Sequence, residues 1–108
     1  MAKNQDVLRG ISETVILKLL SERSMYGYEI IKLVNERTDG AFQWKEGTLY
    51  PCLHRLEEAG LISSSWELVT NKPRKYYSLT KKGLNAVPER VEASRRFCAT
   101  LESLLANA

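Results

Sequence analysis

The chain has 108 residues, 44% of them hydrophobic and 27% charged, with a formal net charge of +3. That balance fits one soluble globular domain with at most one appended element, and excludes a disordered, collagen-like or disulfide-scaffold chain. No apolar run approaches the ~18 residues needed to span a bilayer, and the polar Met1–Asp6 stretch leads into no secretory core, so a cytoplasmic location is expected.

Residues 7–20 show the first strong period. Val7, Leu8, Ile11, Val15, Ile16, Leu19 and Leu20 recur at spacings of three and four, which is an amphipathic helix with a wide apolar face. Arg23–Met25 reads as a short break. A second helix is expected from about Tyr26 to Arg37, with Ile30, Leu33 and Val34 on its apolar face and Ile31 beside them. Thr38-Asp39-Gly40 ends it, because Gly accepts the left-handed conformation of a helix C-terminus. Ala41–Trp44 alternates and reads as a very short extended segment.

The third helix carries Leu49, Leu53 and Leu56 on one face and ends at Gly60. Pro51 is tolerated in a first turn, which places the start near Gly47 or Thr48 and makes Thr48 the expected N-cap. The period then changes to two. Leu61–Val69 and Arg74–Leu79 read as the strands of a hairpin, with Thr70-Asn71-Lys72-Pro73 as its turn. Thr80 is the expected N-cap of a last helix. In that helix Leu84, Val87, Val91, Ser94, Cys98, Leu101 and Leu105 are spaced 3-4-3-4-3-4, an a/d seam of three heptads. Pro88 should kink or restart it.

Catalysis finds little support in the residue inventory. The two cysteines, Cys52 and Cys98, fit no metal or redox spacing and are expected to be buried. His54 is the single histidine, which excludes multi-histidine metal sites. No nucleophile with a base and no phosphate-binding Gly loop is present. Neither enzyme activity, metal nor cofactor is expected. Charge, by contrast, is concentrated. Residues 68–82 contain Lys72, Arg74, Lys75, Lys81 and Lys82 and no acid, a footprint for an anionic partner or simply a solvated turn.

The order of three short helices, a hairpin and a long helix describes a mainly α fold with a two-stranded β-wing. This is a winged helix-turn-helix whose third helix enters a DNA major groove. Opposite the apolar face of that helix stand Thr48, Tyr50, His54 and Arg55, all able to hydrogen-bond base edges or phosphates. Arg55 has the alternative of pairing with Glu58 or Glu36. Tyr26 and Gly27 open the second helix, where a helix N-terminus suits a phosphate. Tyr28, Trp44 and Trp66 are read as core or hairpin-packing aromatics.

The segments YGYEI (Tyr26–Ile30), EGTLYPCLHRLEEAGLI (Glu46–Ile62), SSW (Ser64–Trp66) and PRKYYSLTKKG (Pro73–Gly83) resemble those of the PadR family of bacterial transcriptional regulators. The single short C-terminal helix is similar to the small subgroup of that family. The resemblance implies a homodimeric winged-helix repressor, often one that responds to phenolic or other aromatic compounds. A twofold dimer is in turn expected to bind an inverted-repeat operator. Some small members carry a tryptophan in the middle of the last helix that lines a drug-binding space. Here that position falls near Ser94, with Phe97 one turn on.

The expected DNA-binding residues are therefore Tyr26, Gly27, Thr48, Tyr50, Pro51, His54, Arg55, Lys72, Arg74 and Lys75. Residues 1–83 are expected to form the DNA-binding unit and residues 84–108 the dimerisation helix. At ~1.5 Å per residue that helix is roughly 35–40 Å long, more than its own domain can cover. An exposed apolar stripe of that size marks an interface. Ile11, Val15, Val91, Ser94, Phe97, Cys98, Leu101 and Leu105 are expected to form the dimer contact and a cleft for a small aromatic effector. The competing reading is a winged-helix protein–protein module that never touches DNA.

Overall fold

Among the described residues, apolar positions at helical spacing fold into four helices, and the period-two stretch folds into a hairpin. The structure, a computed structural model, describes residues 2–106, with side chains for residues 9–106. Helix α1 spans Ala2–Leu20, strand β1 Met25–Tyr26, α2 Gly27–Arg37, α3 Glu46–Glu58, β2 Ile62–Val69, β3 Lys72–Leu79 and α4 Lys81–Ala106. The sheet is antiparallel with β3 between β1 and β2. The fold class is the expected one, a helical domain with a wing and a long last helix. Strand β1 is the addition: Met25 pairs with Tyr77 and Tyr26 with Tyr76. Tyr26 thus lies just before α2 and does not begin it.

The core gathers one stripe from each element. Ile16, Leu17 and Leu20 of α1 meet Met25, Ile30, Leu49, Leu53 and Leu56, and Ile62 and Tyr77 close it from the sheet. Val87 brings α4 into the same core. The side chains of Val7 and Leu8, expected on the α1 face, lie outside the described residues. Cys52 is buried as expected, and burial pushes its thiol pKa up. Trp44 is buried too. Gln43, at φ 50°, turns the chain inward, and the Asn35 amide holds the Trp44 backbone, accepting its N–H at 2.7 Å and donating to its carbonyl at 3.0 Å. Ala41–Trp44 therefore forms no extended segment. Two expectations of burial fail: Tyr28 and Trp66 are exposed; Cys98 is exposed too, on the distal part of α4 expected to meet a second copy.

Helix α3 starts earlier than its proline implied. Lys45 is the N-cap, so Thr48 sits in the third helical position and Pro51 in the second turn. Pro51 removes the bond to the Gly47 carbonyl. Gly47 is exposed, so water can serve that carbonyl and the helix continues. Gly60, at φ 77°, ends the segment as expected. The hairpin turn is shorter than its composition implied. Thr70 and Asn71 both take positive φ, 52° and 64°, which is the geometry of a primed two-residue turn matched to strand twist. Lys72 and Pro73 therefore belong to β3, opposite Val69 and Leu68.

Thr80 caps α4, accepting the Gly83 N–H at 3.1 Å and donating to the Gly60 carbonyl at 2.7 Å. Lys82 Nζ donates to the Ala59 carbonyl at 2.9 Å, so the start of α4 is tied to the end of α3. The helix runs through Pro88 as a single element without restarting. Its first half packs on α1. Its second half leaves the core behind, with Phe97, Leu101, Leu104 and Leu105 exposed on a molecule 56 Å long and less than 30 Å across. Leu84, expected in the seam, is also exposed.

Candidate nucleic-acid interface

With Leu49, Cys52, Leu53 and Leu56 turned inward, α3 presents Gly47, Thr48, Tyr50, Pro51, His54 and Glu58 to solvent. These positions recur at three and four, so they form one strip along the helix. His54 Nε2 stands 3.7 Å from Glu58 Oε2, an exposed pair that leaves the imidazole accessible.

Arg55 does not join this strip. Its Nε donates to Glu13 Oε2 of α1 at 2.9 Å, and its Nη2 donates to Cys52 Sγ at 3.2 Å. Neither Glu58 nor Glu36, the alternatives in the sequence, is its partner. Glu13 also holds Arg90 of α4 at 3.6 Å. One carboxylate therefore joins α3 to α4 through α1. No local pattern marks this triad, because its members are 42 and 35 residues apart (55 − 13 and 90 − 55).

The wing and the start of α2 converge on Tyr50. A groove of about 310 Å³ is lined by Tyr26, Gly27, Tyr28, Tyr50, Trp66, Pro73, Arg74 and Lys75. Gly27 lets the Tyr50 ring lie close against the start of α2: a Cβ on it would lie 2.5 Å from the Tyr50 hydroxyl oxygen, so the exposed Tyr50 side chain would have to move. The Arg74 guanidinium lies 4.4 Å from the centre of the Tyr26 ring, and Tyr26 meets Tyr76 edge to face at 5.4 Å. This stacking orients the guanidinium, while Arg74 Nε is buried without a hydrogen-bond partner among the described residues. Lys75 Nζ sits 5.8 Å from the Tyr77 ring centre. Glu29 closes the turn before α2 by accepting the Tyr26 N–H at 3.1 Å and a bond from Arg23 at 2.9 Å. Gly27 and Tyr28 line the groove, so the first turn of α2 lies beside it.

Five of the expected residues, Tyr26, Gly27, Tyr50, Arg74 and Lys75, therefore share one groove. Thr48, Pro51 and His54 share the α3 strip, and Lys72 is exposed beside the turn. The sequence reading missed Tyr28, Trp66 and Pro73. The signal for Trp66 was present in the alternation of Trp66 and Leu68 with Ser65 and Glu67.

A second groove, of about 300 Å³, lies between α1 and α4. It is lined by Gly10, Ile11, Thr14, Arg90, Ala93, Ser94 and Phe97, and includes three of the residues expected around an effector. Val15 and Val91 line a neighbouring hollow nearer the core. Arg90 was not anticipated and brings a charge to an otherwise mostly apolar wall. Cys98, Leu101 and Leu105 lie further along α4 and are exposed. Among the described residues, no helix is long and apolar enough to cross a membrane.

The profile of the transcriptional regulator PadR-like family matches residues 16–89. An uncharacterized protein X of Lysinibacillus sphaericus is 39% identical over 88 residues, 81% of each chain. The transcriptional regulator YqjI of Escherichia coli is 35% identical over 78 residues, 72% of this chain but 36% of that protein. A transcriptional regulator from Clostridium thermocellum superposes with a TM-score of 0.81 at 38% identity, covering 91% of this chain and 96% of the other. A PadR-like transcription factor from Bacteroides fragilis does so with a TM-score of 0.79 at 31% identity, covering 96% and 99%. With the helix order, the wing and the matched span in agreement, the chain belongs to the PadR-like family of transcriptional regulators.

Proposed function

We propose that this regulator binds double-stranded DNA as a homodimer and represses transcription from an inverted-repeat operator in the cytoplasm. Residues 1–83 supply the DNA-binding unit and residues 84–108 the dimerisation helix. The observation that carries the reading is the groove in which the start of α2, Tyr50 of α3 and the cations Arg74 and Lys75 of the wing converge. Thr48, Pro51 and His54 extend that surface along α3 into the major groove, and Lys72 extends it along the wing. Cations around a helix N-terminus hold a phosphate, and an exposed helix strip reads base edges. The exposed Phe97, Leu101, Leu104 and Leu105 supply an apolar face for a second copy. A twofold dimer sets the two α3 helices about 34–36 Å apart, one DNA turn. A small aromatic effector occupies the α1–α4 groove beside Ile11, Ser94 and Phe97. It releases DNA by binding one dimer arrangement better than the other, for which a coupling of about 1–3 kcal/mol is enough.

The test is a titration of DNA from upstream of the protein's own gene at several salt concentrations. Arg74→Ala and Lys75→Ala should each weaken binding to all sequences and lower the salt slope by about one unit, the share of one phosphate. His54→Ala should instead relax discrimination between operator variants. Wing variants that bind like wild type at every salt concentration overturn the reading. Ser94→Leu should fill the effector groove and abolish the fluorescence response to planar phenolics while leaving the dimer intact.

A further inference from the structure

The wing carries an apolar face that the chain itself does not cover. Strand pairing sets Trp66 opposite Lys75 and Leu68 opposite Pro73, and directly opposed residues in an antiparallel pair share a face. Nearer the core the same face holds Ser64 and Tyr77. There it is occupied: Ser64 Oγ donates to Glu57 of α3 at 2.6 Å, and Tyr77 is buried. Strand β1 pairs only with Tyr76 and Tyr77, so beyond that point the wing is a two-stranded ribbon. On that free stretch Trp66 is 69% exposed and Leu68 75% exposed. Ser65 and Glu67 point to the other face. An apolar–polar alternation belongs to a strand with one covered side, and here the covering body is absent from the chain.

The surroundings identify that body by charge. Trp66 and Pro73 line the same groove as Arg74, Lys75, Tyr50 and the start of α2. Of the five cations in residues 68–82, Arg74 and Lys75 line it, and Lys75 shares the face of Trp66 and Leu68. The one carboxylate on this part of the ribbon, Glu67, lies opposite Arg74 on the other face. An apolar patch bordered by cations matches a surface that alternates apolar and anionic groups, as the deoxyribose and phosphate of a DNA strand do. We infer that Trp66 and Leu68 pack against the sugars that wall the minor groove, next to the phosphates held by Arg74 and Lys75. They position the wing by contact and not by charge. This inference rests on the DNA-binding reading above and adds a pair of positioning residues to it.

Apolar contact releases no counterions, whereas each phosphate contact does. That difference separates the two kinds of wing residue in one experiment. A fluorescently labelled mixed-sequence duplex is titrated with the full chain by anisotropy across a salt series. Trp66→Ser and Leu68→Ser should each weaken binding about tenfold at every salt concentration and leave the slope of log K against log salt at the wild-type value. Lys75→Ala should lower that slope by about one unit. Trp66→Phe should bind nearly as wild type, yet lose most of the change in tryptophan emission that DNA produces, because Trp44 is buried in the core. Thermal unfolding of each variant checks that the exposed substitutions leave the fold intact. Leu68, the further of the two from the core, decides the matter if Trp66→Ser does not fold. Serine variants that bind as wild type while wild type itself binds steeply with salt overturn this inference alone. So does a lowered slope, or a fall in mass by light scattering, which would make the face a contact between copies. A wild-type chain that binds no duplex overturns both readings.

Discussion

Removing the Glu13 carboxylate tests whether Arg55 is a structural tie or a DNA-contacting residue. Glu13 is well covered, with a side chain 13% exposed, while Arg55 is 34% exposed. A charge-assisted bond of 2.9 Å is worth roughly 1.5–3 kcal/mol when dry and roughly 0.2–1 kcal/mol at the surface. Because Arg55 is one-third open, the pair falls near the lower range, at about 1 kcal/mol. The Arg90 contact at 3.6 Å is longer and adds less. Glu13→Gln should therefore destabilise the fold by roughly 1–1.5 kcal/mol, and Arg55→Met by about 1 kcal/mol, since methionine keeps the packing stem. The double variant should lose less than the sum, with a coupling of about 1 kcal/mol. Urea midpoints at fixed protein concentration give the cycle, and fixed concentration matters because dimer formation shifts apparent stability. A coupling under ~0.3 kcal/mol, with Arg55→Met relaxing operator discrimination at unchanged stability, would refute this placement of Arg55.

Gly83→Ala should be among the most damaging small substitutions. A Cβ there overlaps the carbonyl oxygen of Leu61, a backbone atom that cannot step aside, so a loss of roughly 2–4 kcal/mol is expected in thermal or urea unfolding. A loss below ~0.5 kcal/mol would show that α4 does not seat on Leu61. Leu101→Glu, placing a charge on the exposed distal face of α4, should shift light-scattering mass toward the monomer and weaken DNA binding together. Unchanged mass would move the interface elsewhere. The Arg37 guanidinium donates two bonds to Glu22, at 2.9 and 3.1 Å, and holds its carboxyl pKa below the ordinary value. A lowered folded pKa means stability that is present at neutral pH and lost as pH falls through the carboxylate range. Arg37→Ala should flatten that acid-side slope in urea midpoints, and an unaltered slope would mean that the pair does not form.

What the linear pattern determined is what short-range geometry can encode. Helical spacing at Ile11–Leu20, Ile30–Val34 and Leu49–Leu56 marked three core-facing stripes, because side chains three and four apart share a helix face. Gly60 and Thr80 marked a helix end and a helix start through their own backbone and hydroxyl chemistry. The basic wing and the apolar excess of α4 were visible because charge and hydrophobic repeat are properties of composition. Tertiary structure decided everything that needed a distant partner. Strand β1 has only two residues and exists because Tyr76 and Tyr77 offer it an edge. Thr48 was the better cap by chemistry, yet the chain enters α3 at Lys45, and solvent at Gly47 tolerates the bond that Pro51 removes. Lys72 and Pro73 look like turn residues, but the positive φ of Thr70 and Asn71 completes the reversal before them. Arg55 had two acids within helical reach and pairs with a third on another helix. Trp66 and Tyr28 look like core aromatics by type alone and stand exposed beside the wing cations, because hydrophobicity says that a side chain seeks cover but not which molecule supplies it.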